Sequence, residues 1–403
     1  MLVGLDRLPN NAALTRELAS RRIGLLAHPA SVDRRLRHVS EVFAELSVRP
    51  SIIFGPEHGY GGEAQDMIGV SDAVDPSGAE IVSLYGDAVE DLSPRAHHLE
   101  KLDLLVIDLA DIGSRYYTFI WTALLATRAA VSRGVEVLVL DRPNPLGGAP
   151  AQLEGALQDR GFLSFVGLEP IAVRHALTLG EIVAHFAHAP HGALRILGVL
   201  DWERARLSDA WDRPFVLTSP NMPTADVALV YPGGCLIEGT NLSEGRGTTR
   251  PFELVGAPFL DGRKLARELA NTGLPGFTAR PLTFMPTFHK HAGKLCGGVQ
   301  IHVTDAAAFR PYATYLALVW AAKRLAPADF RFRTERYEFI DHIPAFDLLT
   351  GSDHARLAIE RGAPLSDWLD PIAIAGRDAA ALHASAVDAG MRVAVTNAMG
   401  PSS

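Results

Sequence analysis

Four short runs of unbroken apolar residues constrain this chain more than any other feature. They are "RIGLLA" (22–27), "PSIIFG" (50–55), "LDLLVIDLA" (102–110) and "VEVLVLD" (135–141). Each is far shorter than the roughly 20 residues that cross a bilayer, so none is a membrane span. Nor do they alternate apolar with polar, as a strand with one wet face does. A strand that is apolar on both faces must be covered on both. The stretches between them supply the cover. "HVSEVFAEL" (38–46) and "YTFIWTALLATRAAVSRG" (117–134) carry helical spacing. Strands alternating with helices predict an α/β fold, an open parallel sheet with helices on both faces.

The chain has 403 residues, more than one core usually serves. Its texture changes near residue 262. "GRKLARELANTGL" reads as a helix and "GFTARPLTFMPTFHKHAGKLCGGVQIHVTD" as β-rich. "AAFRPYATYLALVWAAKRLAP" and two further helices follow. We expect residues 1–260 to form the sheet domain and 261–403 a smaller α+β domain that closes over its cleft, with 200–260 near the junction.

Ligands of open parallel sheets sit beyond the carboxyl ends of the strands. The residues following the apolar runs are His28 and Pro29, Glu57 and His58, Asp108, Asp111 and Arg115, then Asp141, Arg142 and Asn144. Asp, Asn and Pro also make turns and helix caps, an equal reading for Asp141 and Asn144. Glu57 and Arg115 are not turn formers. No glycine fingerprint for nucleotide phosphates follows the first strands, and "GYGGE" (59–63) lacks the lysine of a phosphate loop. A net charge of -8 gives no footprint for nucleic acid. The two cysteines, Cys235 and Cys296, are too few for a disulfide scaffold and read as buried thiols. The start, "MLVGLDRLPNN", is not a signal peptide. A native start implies the cytoplasm; removal of a leader would imply secretion or the periplasm. Oligomeric state is left open.

Histidines are plentiful, but neither H-E-x-x-H nor C-x-x-C occurs, and we expect no metal. No G-x-S-x-G elbow supports a serine nucleophile. Carboxylates remain. Glu57, Glu154, Glu238 and Glu244 all stand in glycine-rich loop contexts. Glycoside hydrolysis needs two carboxyl groups, a proton donor and an ionised partner. It also needs fixed polar contacts for the sugar. "TNLSEGRGTTRPFE" (240–253) offers these through Asn241, Ser243, Arg246, Thr248, Thr249 and Arg250. Such a run reads as a polar wall for a polar ligand, or as a hydrogen-bonded loop between domains.

Ordered along the chain are "FGPEHGYGGEAQD", "DLADIGSRYYTFIWT", "VLDRPNPLGG", "LEGALQDRGFLSFVG", "SPNMPTADVALVYPGGCLIEGTNLSEGRGTTRPFELVGAP", "PTFHKHAGKLCGGVQIHVTD" and "FDLLTGSD". Together these resemble the exo-β-N-acetylmuramidase family, glycoside hydrolase family 171. The resemblance implies a Rossmann-like catalytic domain with an auxiliary domain and no cofactor. It also implies release of N-acetylmuramic acid from the non-reducing end of peptidoglycan fragments. In the "GPEHG" motif Glu57 is the first choice for a catalytic carboxyl. Glu154 is the second, with Glu238 and Glu244 behind it. The lactyl carboxylate of muramic acid suits a planar guanidinium: Arg246 or Arg250, with Arg142 and Arg115 as alternates, each equally suited to an internal ion pair. His58, Asp108, Asn144, Asn221, Asn241, Thr248, His289 and Lys290 complete the substrate-binding set. The motifs depart from the family's usual forms at "GYGG" and "DIGSRYYTF", changes that spare the charged residues.

Overall fold

The computed structural model describes residues 1–62, 73–74 and 78–395. Glu63 of the glycine-rich run and the last residues of the second domain lie outside these. The main sheet contains β1 (Ile23–Ala27), β2 (Pro50–Gly55), β3 (Ala73–Val74), β4 (Glu80–Ser83), β5 (Leu104–Asp108), β6 (Glu136–Leu140) and β7 (Leu194–Leu197). Its order is β3-β4-β2-β1-β5-β6-β7. All pairs are parallel except the short β3 against β4. Counting only the six parallel strands in chain order, the arrangement is the 3-2-1-4-5-6 of a Rossmann sheet, with its reversal between β1 and β5.

The unbroken apolar strands do what their composition demands. Successive side chains enter two different cores. Leu26, Phe54, Leu105, Ile107, Val137 and Val139 face one; Leu25, Ile53, Leu104, Val106, Leu138 and Leu140 face the other. Helices α1 (Ala12–Ala19) and α2 (Val39–Glu45) supply Leu14, Leu18, Val42 and Phe43 to the second core. Helices α3 (Phe119–Ser132) and α4 (Leu179–Phe186) cover the first. Among the described residues no helix is long and apolar enough to cross a membrane.

The second unit is built on three antiparallel strands in the order β8-β10-β9: β8 (Leu254–Ala257), β9 (Phe277–Phe284) and β10 (Cys296–Val303). Its first strand lies upstream of the change in texture at residue 262. Packed on the sheet are α5 (Ala225–Gly234) and α6 (Gly262–Asn271), and the buried α7 (Pro311–Leu325) packs on both of these helices. Helix α8 (Arg377–Arg392) returns to lie on α4 of the first unit. Cys235 and Cys296 are buried free thiols.

The turn after β2 decides where Glu57 points. Gly59 N–H donates to the Pro56 carbonyl at 2.9 Å, closing a turn whose third residue, His58, has φ 72°. A positive φ at that position is normally left to glycine, so the surrounding structure must hold His58 there. Gly55 makes room for it. A Cβ on Gly55 would lie 2.4 Å from Tyr60 N and 2.9 Å from the Gly59 carbonyl carbon. Both are backbone atoms, so neither can rotate away. Gly55→Ala is therefore expected to destabilise by about 1–3 kcal/mol and to move Glu57, whereas Gly161→Ala, which meets open space, should change neither stability nor turnover. Thermal unfolding and initial rates on the pair check this.

Candidate active site

A cavity lies beyond the carboxyl ends of the strands, and both halves of the chain line it. The sheet side contributes Glu57 and His58 from the turn after β2, and Tyr116 to Phe119 from the loop leading into α3. Glu57 is 6% exposed, and its Oε2 accepts from the Thr118 hydroxyl at 2.8 Å. Thr118 stands immediately before α3, so the carboxylate meets the positive end of that helix. The Thr118 hydroxyl does not cap α3 itself. The loop is pinned from behind. The Arg115 guanidinium donates to the carbonyls of Ile171 (2.9 Å) and Leu349 (2.7 Å), and Trp121 Nε1 donates to the Arg115 carbonyl at 2.8 Å.

The second half contributes Glu238, Arg246, Phe252, Tyr337 and Glu338. Glu238 accepts from Arg246 Nη2 at 2.7 Å on one oxygen and from the Tyr337 hydroxyl at 2.7 Å on the other. Glu244 lies behind Arg246 with no exposure. Its carboxylate is 3.4 Å from Arg246 Nε, 2.9 Å from His289 Nδ1 and 2.9 Å from Lys290 Nζ. Burial alone would raise its pKa. The Lys290 ammonium, the His289 contact and Arg246 outweigh that and hold it well below the usual carboxylate range. Lys290 also donates to the carbonyls of Ile237 (2.9 Å) and Thr240 (3.0 Å), clamping the loop that carries Glu238.

Of the sequence-selected residues, Glu57, His58, Asn221, Glu238 and Arg246 line this cavity. Glu244, His289 and Lys290 form the ion cluster behind it. The others serve elsewhere. Glu154 is buried at the start of α7, where its Oε1 accepts from Ala313 N–H at 2.9 Å. Arg142 pairs with Asp108 through two contacts, one of 2.8 Å, and donates to the Val32 carbonyl. Asn144 ties its own turn, donating to the Leu177 carbonyl and accepting from Leu146 N–H. Asn241 exchanges hydrogen bonds with the backbone of Asp329 and Arg331. Thr248 donates to the Gly245 carbonyl at 2.6 Å. Arg250 is half-exposed and pairs with Glu253 at 3.3 Å. The polar run 240–253 is thus mostly a self-satisfied loop, and Arg246 and Phe252 alone reach the cavity from it. His28, in contact with Phe119, is buried, and burial with nearby Arg142 lowers its pKa to about 3.

Sequence reasoning missed Tyr116, Tyr117, Ser219, Tyr231, Tyr337 and Glu338. Glu338 has φ 44° and accepts from the Tyr85 hydroxyl at 3.2 Å. Nothing in "TERYEFID" marks it, because its place is set by packing between distant segments.

A polar cavity walled by carboxylates, an arginine and phenols supplies the groups that glycoside hydrolysis needs, two carboxyls and fixed polar contacts for a sugar. Residues 23–226 match the family model for the exo-beta-N-acetylmuramidase NamZ N-terminal region, and residues 229–373 match its C-terminal region. The chain is a member of the exo-β-N-acetylmuramidase NamZ family. It is 40% identical over 359 residues to the peptidoglycan beta-N-acetylmuramidase NamZ of Bacillus subtilis strain 168, covering 88% of this chain and 84% of that protein. A crystal structure of a DUF1343 family protein from Bacteroides fragilis NCTC 9343 has a TM-score of 0.83 at 27% identity, over 96% of this chain and 97% of that one. A second from the same organism, at 24% identity and a TM-score of 0.71, covers 96% and 98% and shares the fold.

The burial of Glu154 makes its place testable. Burial raises its pKa from 4.5 to about 7, and the helix N–H groups only partly offset this. A carboxyl with a raised folded-state pKa gives its full stabilisation below its unfolded value and loses it as pH rises through 7. The loss is on the order of 3 kcal/mol. Glu154→Gln cannot ionise. Its melting temperature relative to wild type should therefore climb between pH 5 and pH 8, with turnover within a few-fold of wild type. A pH-independent offset, or a hundred-fold loss of rate, would overturn the structural reading of Glu154.

Proposed function

We propose that this protein is an exo-acting β-N-acetylmuramidase that releases N-acetylmuramic acid from the non-reducing end of peptidoglycan fragments. One observation carries the reading: Glu57 and Glu238, from separate halves of the chain, face one cavity in a member of this family. Their hydrogen bonds suggest a division of labour. Both oxygens of Glu238 act as acceptors, for Arg246 and Tyr337, so Glu238 is arranged to work as a base, a nucleophile or a stabiliser of positive charge. The proton donor is then Glu57, at the rim of the sheet. In this scheme Glu57 protonates the departing glycosidic oxygen, and Glu238 faces the oxocarbenium-like centre that develops. The two carboxyl groups would stand about 5–5.5 Å apart in a retaining enzyme and about 6.5–9.5 Å apart in an inverting one.

Glu57→Gln keeps the shape and the acceptor for Thr118 but cannot donate the proton. It should lower the rate on a β-N-acetylmuraminide by at least about 100-fold, with an unchanged melting temperature. Near-normal turnover in a folded mutant would remove Glu57 from the chemistry and leave Glu238 and Glu338 as the carboxyls to test.

Arg246 is the arginine that lines the cavity, and we assign it the lactyl carboxylate. Arg246→Lys keeps the charge but loses the planar fork. Wild type should hydrolyse a chromogenic β-N-acetylmuraminide much faster than the matching N-acetylglucosaminide. Arg246→Lys should cut that preference roughly ten- to hundred-fold, the worth of one charge-assisted hydrogen bond. A proportional loss on both substrates would mean that the guanidinium serves Glu238 alone.

A further inference from the structure

An open groove lies beside the loop that carries Glu238 and shares no lining residue with the catalytic cavity. It gathers His289, Lys290, His291, Arg331 and Arg333 against a single carboxylate, Glu335, in a chain whose net charge is -8. Local structure builds this concentration. Residues 331–333 run extended along 239–241. Thr240 and Phe332 pair as an antiparallel bridge, Asn241 N–H donates to the Arg331 carbonyl at 3.0 Å, and Arg333 N–H donates to the Gly239 carbonyl at 2.9 Å. Two residues apart on an extended segment, Arg331 and Arg333 come out on one face. The stretch from His289 to His291 is fixed by the ion cluster around Glu244, with φ 65° at His289 and 58° at His291. Backbone so far from its usual range persists only where the surroundings enforce it.

Lys290 commits its three N–H groups to Glu244 and to the carbonyls of Ile237 and Thr240, so it gives the groove no further donor. The other four basic groups are anchored on one side and open on the other. Arg331 Nη1 donates to the Phe330 carbonyl at 2.8 Å. Arg333 Nη2 donates to the Arg336 carbonyl at 3.1 Å, and the guanidinium lies over the Tyr337 ring, 5.3 Å from its centre. His291 Nε2 donates to the Asn241 carbonyl at 2.7 Å, and His289 Nδ1 stands 2.9 Å from Glu244. Arg331 Nη2, Arg333 Nη1, His289 Nε2 and His291 Nδ1 have no hydrogen-bond partner among the described residues. Glu335 answers Arg333 only across 3.9 Å, with a side chain 77% exposed, and such a surface pair contributes little. Two guanidinium groups held side by side with so little opposing charge suit an anion. Donors that converge from two separate stretches suit one whose oxygens point in several directions. A phosphate monoester has three terminal oxygens so arranged, whereas a carboxylate has two in one plane.

We infer that this groove is a binding site for a phosphate group, as the free ion or as a small monoester, separate from the catalytic cavity. Inorganic phosphate, glycerol phosphate and acetate are titrated into the full chain by calorimetry, at one pH and one ionic strength, using wild type, Arg331→Gln and Arg333→Gln. Arg331 is exposed, so its replacement leaves the fold intact even if the Arg333 variant is disturbed. Wild type should bind both phosphates more tightly than acetate. Each substitution should weaken phosphate binding roughly ten- to hundred-fold, the worth of one charge-assisted hydrogen bond. Tighter binding of glycerol phosphate than of inorganic phosphate would assign the monoester, which Phe332 at the groove can meet with apolar surface; equal binding would assign the free ion. Turnover of a chromogenic β-N-acetylmuraminide by Arg331→Gln should stay at the wild-type value. Acetate binding as tight as phosphate, or phosphate binding that both variants retain, would overturn the site. So would competitive inhibition by phosphate that persists undiminished in both variants, since the anion would then sit against Arg246 in the catalytic cavity. The titration needs no turnover, so it decides the groove even if the glycosidase reading fails.

Discussion

A carboxylate with no exposure to water must be answered by positive charge, and Glu244 is answered by three groups from two distant stretches of chain. Arg246 comes from its own loop; His289 and Lys290 come from the connection between β9 and β10. Removing one partner of such a buried pair typically costs about 3–5 kcal/mol, because the remaining charge is stranded. The cluster therefore fixes more than itself. Through Lys290 it grips the carbonyls of Ile237 and Thr240 on either side of Glu238. Through Arg246 it reaches the Glu238 carboxylate. The part of the cavity wall that carries Glu238 is held in place by an ion cluster behind it.

The first domain solves its half of the problem differently. A Rossmann-ordered sheet offers a rim of loops and the positive ends of helices, and nucleotide enzymes use that rim for phosphate. Here the corresponding loops lack the glycines that let backbone approach a pyrophosphate. The strained turn at His58 presents Glu57 instead, and the hydroxyl before α3 receives it. A short covalent path from a rigid strand to the carboxyl explains why strain is tolerated there. It removes the freedom that a longer loop would have to suppress.

How far the sequence is legible follows from how local each determinant is. The strands buried on both faces announce themselves, since no other element tolerates so many consecutive apolar residues in so short a run. The strands Glu80–Ser83 and Leu194–Leu197 escape, being four residues each without a distinctive pattern. Helix α5 escapes too, because Pro232 and two glycines break its signal, and it persists through burial against α7. Glu57 is legible because strand, turn and carboxyl are contiguous. Glu154 shares the same glycine-flanked loop context, yet its carboxyl receives the N–H of Ala313, 159 residues away. Local context reveals that a glutamate is constrained, and only the tertiary structure reveals by what.

That distinction bears on how a perturbed carboxyl is read. Glu154 carries the marks sought in an acid catalyst, complete burial and a pKa near 7. It lies at the start of a helix that belongs to the other domain, outside the residues lining the cavity. Desolvation raises a pKa wherever a carboxyl is buried, so a raised value identifies an environment and leaves the role open. A general acid must also reach the bond it protonates. Glu57 lines the cavity, with the Thr118 hydroxyl bonded to its Oε2, and so satisfies the geometric requirement first. The Glu154 carboxyl accepts from Ala313 N–H at the start of α7, and so helps to hold together the two halves whose meeting forms the cavity.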